Sequence, residues 1–192
     1  MKSKIALSIL IFMLASNVFG QVSEKGKIGL SYSLGGVKLM SNTDFTKDLK
    51  AKSVESIGLV YLYPLKQGLE MESGLNYSLF HFSKNAELAS ENFEGNMSVI
   101  DIPIGVRATF EKYFFVNGGA LLDFNTANSL PISSQSGIGL FGGLGFNYDF
   151  KMGLSLFANP YVKLHSIIPF GKMENHQRLM DAGVKIGVTY RL

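Results

Sequence analysis

The sequence predicts an all-β protein: an eight-stranded, antiparallel, up-and-down β-barrel of the transmembrane type, preceded by a cleaved signal peptide. Three observations predict it. Apolar residues recur at every second position in eight separate stretches, the period of a strand with two unlike faces. Nothing between these stretches keeps a long helical period. The connections alternate between long and short, as in a barrel whose hairpins open at opposite ends.

Residues 1–20 form a unit of their own. Lys2 and Lys4 precede an apolar core of 11 residues, Ile5 to Ala15, and "SNVFG" ends in small Gly20. This is the layout of a secretory signal, with cleavage expected between Gly20 and Gln21. The core is shorter than the roughly 17–25 residues a helix needs to span a bilayer. Removing the segment takes away Lys2 and Lys4 and no acid, so the formal charge falls from +3 to +1. The basicity therefore gives no reason to expect a nucleic-acid partner. The absence of Cys excludes disulfides, a cysteine nucleophile and a lipidated N-terminal Cys.

The barrel domain is expected over 21–192. Its first strand is "KIGLSYSLGGVKL" (27–39), with a phase slip at Gly35–Gly36 that predicts a bulge. "ESIGLVYLY" (55–63) and "LEMESGLNYSLF" (69–80) follow, and "IDIPIGVRATF" (100–110) is the fourth. Its Pro103 cannot donate to a ladder, which predicts a bulge or a missing hydrogen bond there. The fifth is "FFVNGGALLDF" (114–124) and the sixth "GIGLFGGLGFNYDF" (137–150), whose second face is rich in glycine. That face is expected to leave room for Phe141, Phe157 and Tyr161. "LSLFANPYVKLH" (154–165) and "LMDAGVKIGVTYRL" (179–192) complete the set. Long loops are read at 41–53, 83–96, 125–136 and 166–178, with a short helix allowed at 85–90; short turns are read at 64–68, 111–113 and 151–153.

Alternation alone does not tell a membrane barrel from a secreted, lipocalin-like barrel that turns its apolar face inward around an apolar ligand. Two features favour an apolar face turned to lipid. Aromatic residues gather at the ends of that face: Tyr61, Tyr63, Phe110, Phe114, Tyr148, Phe150 and Tyr190 at the short-turn end, Tyr77 and Phe124 toward the loops. The other face carries Glu70, Glu72, Asp101, Arg107, Asp123, Lys163, Asp181, Lys185 and Arg191, five acids and four bases. Antiparallel order brings Glu70 and Glu72 level with Arg107, and Lys163 level with Asp181. An enclosed charge is costly unless paired, so these residues are expected to form a charge network in a filled lumen, with Arg107 on Glu70 or Glu72. Eight strands leave an interior that side chains just fill, so no stable pore is expected.

With these residues assembled, the chain resembles the PorT-like outer-membrane β-barrel domain proteins of Gram-negative bacteria. The resemblance covers 21–192 and rests on "IDIPIGVRATF" followed by "YFFVNGGALLDF", on "GIGLFGGLGFNYDF" and on the closing strand. The last eight residues, "KIGVTYRL", are also similar to the signal read by the barrel-assembly machinery: Lys185, Gly187 and Tyr190 fit it, while Leu192 stands where an aromatic is usual. The resemblance implies an integral outer-membrane location, and the asymmetry of the loops leads us to expect both ends of the mature chain in the periplasm. One branch of the family is associated with protein secretion, and no residue ties this chain to it.

Enzymatic chemistry has a weak footing. His81 with Ser83, His165 with Ser166, and His176 are placed at the loop end, near acids such as Asp44 and Glu94, where a lipid-modifying site would sit. Adjacency in sequence does not supply the hydrogen-bond geometry that a nucleophile and base require. These histidines are read as interfacial or loop residues. Their spacing suggests no metal site, and no cofactor is expected. The glycine pairs form no phosphate loop, since no helix follows them. The expected partners are outer-membrane lipid, the assembly machinery during biogenesis, and a protein or polysaccharide at the long loops. The expected state is a monomer with a structural or adhesive role, or one accessory to transport or secretion.

Overall fold

The computed structural model describes residues 25–40, 49–84, 93–128, 135–171 and 178–192, with backbone alone described for 49–51, 83–84, 93–94 and 128. The cleavage site at Gly20–Gln21, the segment 85–90, Asp44 and His176 lie outside the described residues.

Eight strands are described: β1 (Lys27–Met40), β2 (Leu49–Lys66), β3 (Leu69–Lys84), β4 (Phe93–Phe110), β5 (Phe114–Asn128), β6 (Gly137–Asp149), β7 (Leu154–Pro169) and β8 (Arg178–Arg191). Each pairs antiparallel with its sequence neighbours, and β8 closes on β1 from Lys27↔Arg191 to Met40↔Arg178. The short turns lie at one end, taken here as the lower. Gly68 (φ 73°) and Gly153 (φ 86°) supply left-handed backbone in two of them, and Glu111 and Lys112 (φ 48° and 67°) make the third.

Over the lower and middle barrel the apolar face points out. Leu30, Ile57, Leu75, Ile104, Val106, Leu140, Leu144 and Ile186 are all exposed, while their chain neighbours Ser31, Ser56, Asn76 and Arg107 are buried. A barrel with an apolar interior would show the reverse. Rings ladder along the lower edge of this band: Phe110 on Phe114, Phe114 on Phe146, Phe146 on Tyr113, Tyr113 on Tyr148, and Tyr148 on Phe150.

Above the cross-strand pair Leu34↔Glu55 the polarity of the alternation reverses on β1–β4 and β8, while Met40 at the end of β1 and Ile168 on β7 stay apolar and exposed. Lys38, Glu55, Asn96 and Arg178 now face outward and are exposed. Val54, Phe80, Phe82, Met97, Val99 and Leu179 face inward as a buried cluster, with Val37 and Leu39 packed against it. This reversal accounts for two departures from the sequence reading. The bulge expected at Gly35–Gly36 is absent, because the β1–β8 register runs unbroken through it. The apolar residues change sides of the pattern because their surroundings change from lipid to lumen. The strands also run further than the apolar stripe, so that β2, β3, β4 and β5 continue into segments read as loop.

Pro103 sits in β4 with no register shift on either side. It faces Leu121 of β5, and pairing with β3 lapses between Ser73↔Ile104 and Asn76↔Asp101. The proline is accommodated by missing rungs, not by a bulge. A second lapse concerns β1 and β2. Their ladder stops at Gly35↔Val54; above it β1 follows β8 and β2 follows β3, to Leu49↔Lys84.

Candidate functional site

Among the described residues the fold gathers reactive side chains in the lumen, because period-two alternation drives every second residue of all eight strands into it. From the lower mouth upward it forms five levels.

The mouth holds Lys27, Glu70, Asp149 and Arg191. Lys27 bridges Glu70 at 3.4 Å and Asp149 at 3.5 Å, and Ser155 donates to Asp149. Arg191 is exposed. Above lies an apolar layer of Val60, Leu62, Phe115 and Phe157.

The third level is centred on Glu72. Its Oε2 accepts from Arg107 Nε at 3.1 Å and from Asn117 Nδ2 at 2.9 Å, and its Oε1 lies 3.3 Å from Lys185 Nζ. The Arg107 guanidinium lies 4.2 Å from the centre of the Phe115 ring and 5.1 Å from that of Phe157, so the rings below it supply cation–π contact. Its two terminal nitrogens have no partner among the described residues.

The fourth level holds two linked sets. Asp101 takes Lys163 at 2.9 Å, Asn76 at 2.7 Å and Ser78 at 3.3 Å. His165 is wholly buried between two acids, with Nδ1 2.9 Å from Asp123 and Nε2 2.9 Å from Asp181. The backbone N–H of Ser166 donates to the second oxygen of Asp123 at 2.9 Å. With both aspartates ionised, each ring nitrogen must donate, so the ring carries a positive charge. The enclosed set is then neutral: Glu72, Asp101, Asp123 and Asp181 against Arg107, Lys163, His165 and Lys185. The apolar cluster of Phe80, Phe82 and their neighbours is the fifth level, toward the loop end.

Glycines leave the space for these side chains. A Cβ on Gly139 would stand 2.8 Å from Asp123 Oδ2, one on Gly143 2.6 Å from Asn159 Nδ2, and one on Gly145 2.1 Å from Phe115. The glycine face of β6 therefore accommodates Phe115 and the polar groups. Room for Phe157 comes from Gly187 of β8, where a Cβ would lie 2.4 Å from the ring.

Of the nine charges read from sequence, Glu72, Asp101, Arg107, Asp123, Lys163, Asp181 and Lys185 lie in the enclosed levels. Glu70 and Arg191 lie at the mouth, where Glu70 pairs with Lys27 and not with Arg107. Lys163 and Asp181 are level across β7 and β8, while the ion pair of Lys163 is with Asp101 on β4. His165 is the correction: read as a rim residue, it is a central lumen residue. Its parity gave the signal, since it stands two positions from Lys163 and four from Tyr161, which also point inward. His81 faces outward and bonds Asn96 Oδ1 at 3.0 Å, and the side chains of Ser83 and Glu94 lie outside the described ones. Both ring nitrogens of His165 are engaged by aspartates, which leaves none for the Ser166 hydroxyl.

Comparison with known proteins bears on the fold. No family model and no curated protein matches the sequence. Among solved structures the chain is similar to the outer membrane protein OprG from Pseudomonas aeruginosa, with a TM-score of 0.55 and 14% identity over 90% of this chain and 98% of that one. It is also matched to Ail, the attachment invasion locus protein of Yersinia pestis, at TM-score 0.42 and 14% identity over 88% and 99% of the two chains. A third match is the outer membrane protein AlkL, solved in lipid bilayers, at TM-score 0.44 and 14% identity over 90% of each chain. The fold is the closed, antiparallel, eight-stranded barrel of outer-membrane proteins.

Proposed function

We propose that the protein is an integral outer-membrane barrel that does not conduct, and that it acts through the end bearing the long loops. Its role is structural, adhesive or accessory to transport or secretion. One observation carries this reading: on β1–β4 and β8 the polarity of the wall reverses above Leu34↔Glu55. Below that level exposed apolar residues surround buried charges, which suits lipid; above it Lys38, Glu55, Asn96 and Arg178 stand outside a buried apolar cluster, which suits water. The barrel would thus cross the bilayer with its lower part and stand in water with its upper part. Two apolar levels, one above and one below the charges, seal the lumen.

In this reading the short turns and both chain ends lie in the periplasm, after cleavage at Gly20–Gln21. The closing segment with Lys185, Gly187, Tyr190 and Leu192 is the assembly signal. Tyr190 and Leu192 are exposed on the barrel, while Lys185 and Gly187 also serve the lumen through Glu72 and Phe157. Membership of the PorT-like family rests on the residues that carry the resemblance. A protein or polysaccharide at the loops is the partner class, and the working unit is one chain. Catalysis is not part of the proposal, since the one histidine held by two acids is sealed from solvent and lipid.

The test is fractionation of cells expressing the native protein, followed by electrophoresis of heated and unheated samples. The protein should stay with the outer membrane, require detergent for release, and migrate faster unheated than heated. Recovery in the soluble periplasmic fraction would reject the reading.

A further inference from the structure

The lower mouth holds a pocket of about 160 Å³, below the Val60–Leu62–Phe115–Phe157 layer. We propose that it is a phosphate-binding site.

Four bases line it, Lys25, Lys27, Lys66 and Arg191, against two acids, Glu70 and Asp149, which leaves a formal charge of +2. Lys27 takes both acids. Lys25, Lys66 and Arg191 have no acid partner among the described residues. One of the unpaired bases, Arg191, also stands beside a second cation. Lys27 and Arg191 are direct cross-strand partners on β1 and β8, and both point inward. Like charges directly opposed across a ladder destabilise it. An anion held between Arg191 and its neighbours would relieve that repulsion.

The lining also says which anion. The unpaired cations come from three directions: the start of β1, the end of β2 and the end of β8. Thr109 of β4 adds a hydroxyl from a fourth. A tetrahedral group with several oxygens can meet donors on several sides at once, whereas a carboxylate presents two oxygens in one plane. The pocket is small, so it would hold the phosphate itself and leave the remainder of the ligand outside the mouth. That ligand is either a phospholipid headgroup at the adjacent membrane surface or a free phosphorylated solute.

The test titrates inorganic phosphate into the folded protein in a non-ionic detergent, at fixed ionic strength, by calorimetry. Acetate is the comparison anion. Phosphate should bind saturably and at least about tenfold tighter than acetate. Lys66→Gln and Arg191→Gln should each weaken it by about tenfold or more, the loss of one charge-assisted bond. Lys38→Gln, at the opposite end of β1, should leave it unchanged. Both lower variants change side chains at the open mouth, and retained heat-modifiable migration shows that each is folded. A second arm adds phosphatidylglycerol to the micelles. Displacement of phosphate by the lipid assigns the site to a headgroup, and phosphate binding without displacement assigns it to a solute. No saturable binding in either arm, acetate as tight as phosphate, or binding indifferent to both lower variants would overturn the proposal.

Discussion

Glu72 on β3 faces Gly105 across the ladder, yet its carboxylate is held by Arg107, two residues along β4. The residue directly opposite Arg107 is Glu70, which Lys27 draws toward the mouth. Across β3 and β4 the charges therefore pair diagonally. One acid answers two bases, Arg107 and Lys185, inside the barrel wall.

This geometry makes Glu72 and Glu70 unequal. Glu72→Gln leaves Arg107 and Lys185 buried with no anion, and should cost about 3–5 kcal/mol in urea unfolding from detergent or vesicles. Glu70→Gln removes a partly exposed pair and should cost under about 1 kcal/mol. Equal costs at the two positions would contradict the assigned pairing.

His165 should be a cation at neutral pH, because its two nitrogens face two aspartates. Nitrogen-15 spectra of the histidine-labelled protein should show both ring nitrogens protonated for this residue. Assignment is made by loss of the signal in His165→Gln. A single bare ring nitrogen would mean that one aspartate holds the proton, and the charge count of the lumen would have to be redrawn.

Two glycines on the wall should respond unequally to a methyl group. At Gly105 a Cβ would lie 2.3 Å from the Gly118 carbonyl oxygen and 2.8 Å from the Phe141 ring. Gly105→Ala should lose about 1–3 kcal/mol through overpacking, or fail to fold. At Gly36 nothing lies within 4 Å. Gly36→Ala should stay within about 0.5 kcal/mol of the parent in the same unfolding assay.

The two apolar levels act in series, so planar bilayers should record no steady current from the native barrel. Phe115→Ala should cost about 3–5 kcal/mol from the cavity it opens, yet remain closed because the upper cluster is intact. Combining it with Phe82→Ala should produce leak currents. Large, steady steps from the native protein would refute a filled lumen.

Much of this was legible in the sequence because lipid and lumen impose opposite demands on alternate residues. Ile104 and Arg107 announce their faces by chemistry alone. Legibility failed where chemistry and face were decoupled. Val37 and Leu39 are apolar and point inward, so the change at Gly35–Gly36 looked like a slip in phase. His165 is polar at the end of an apolar stripe, so it looked like a rim residue. The diagonal choice of Glu72 over Glu70 depends on Lys27, which comes from a strand distant in sequence. No pattern within one strand records it.

The lapse between β1 and β2 has a consequence for how the wall comes apart. The chain's two ends are fastened along the whole of β1, up to Met40↔Arg178, while its first hairpin is joined only as far as Gly35↔Val54. The clasp of the necklace is stronger than the link beside it. Breathing of the rim should begin at that link, where two strand margins already face each other unzipped, and not at the meeting of the termini.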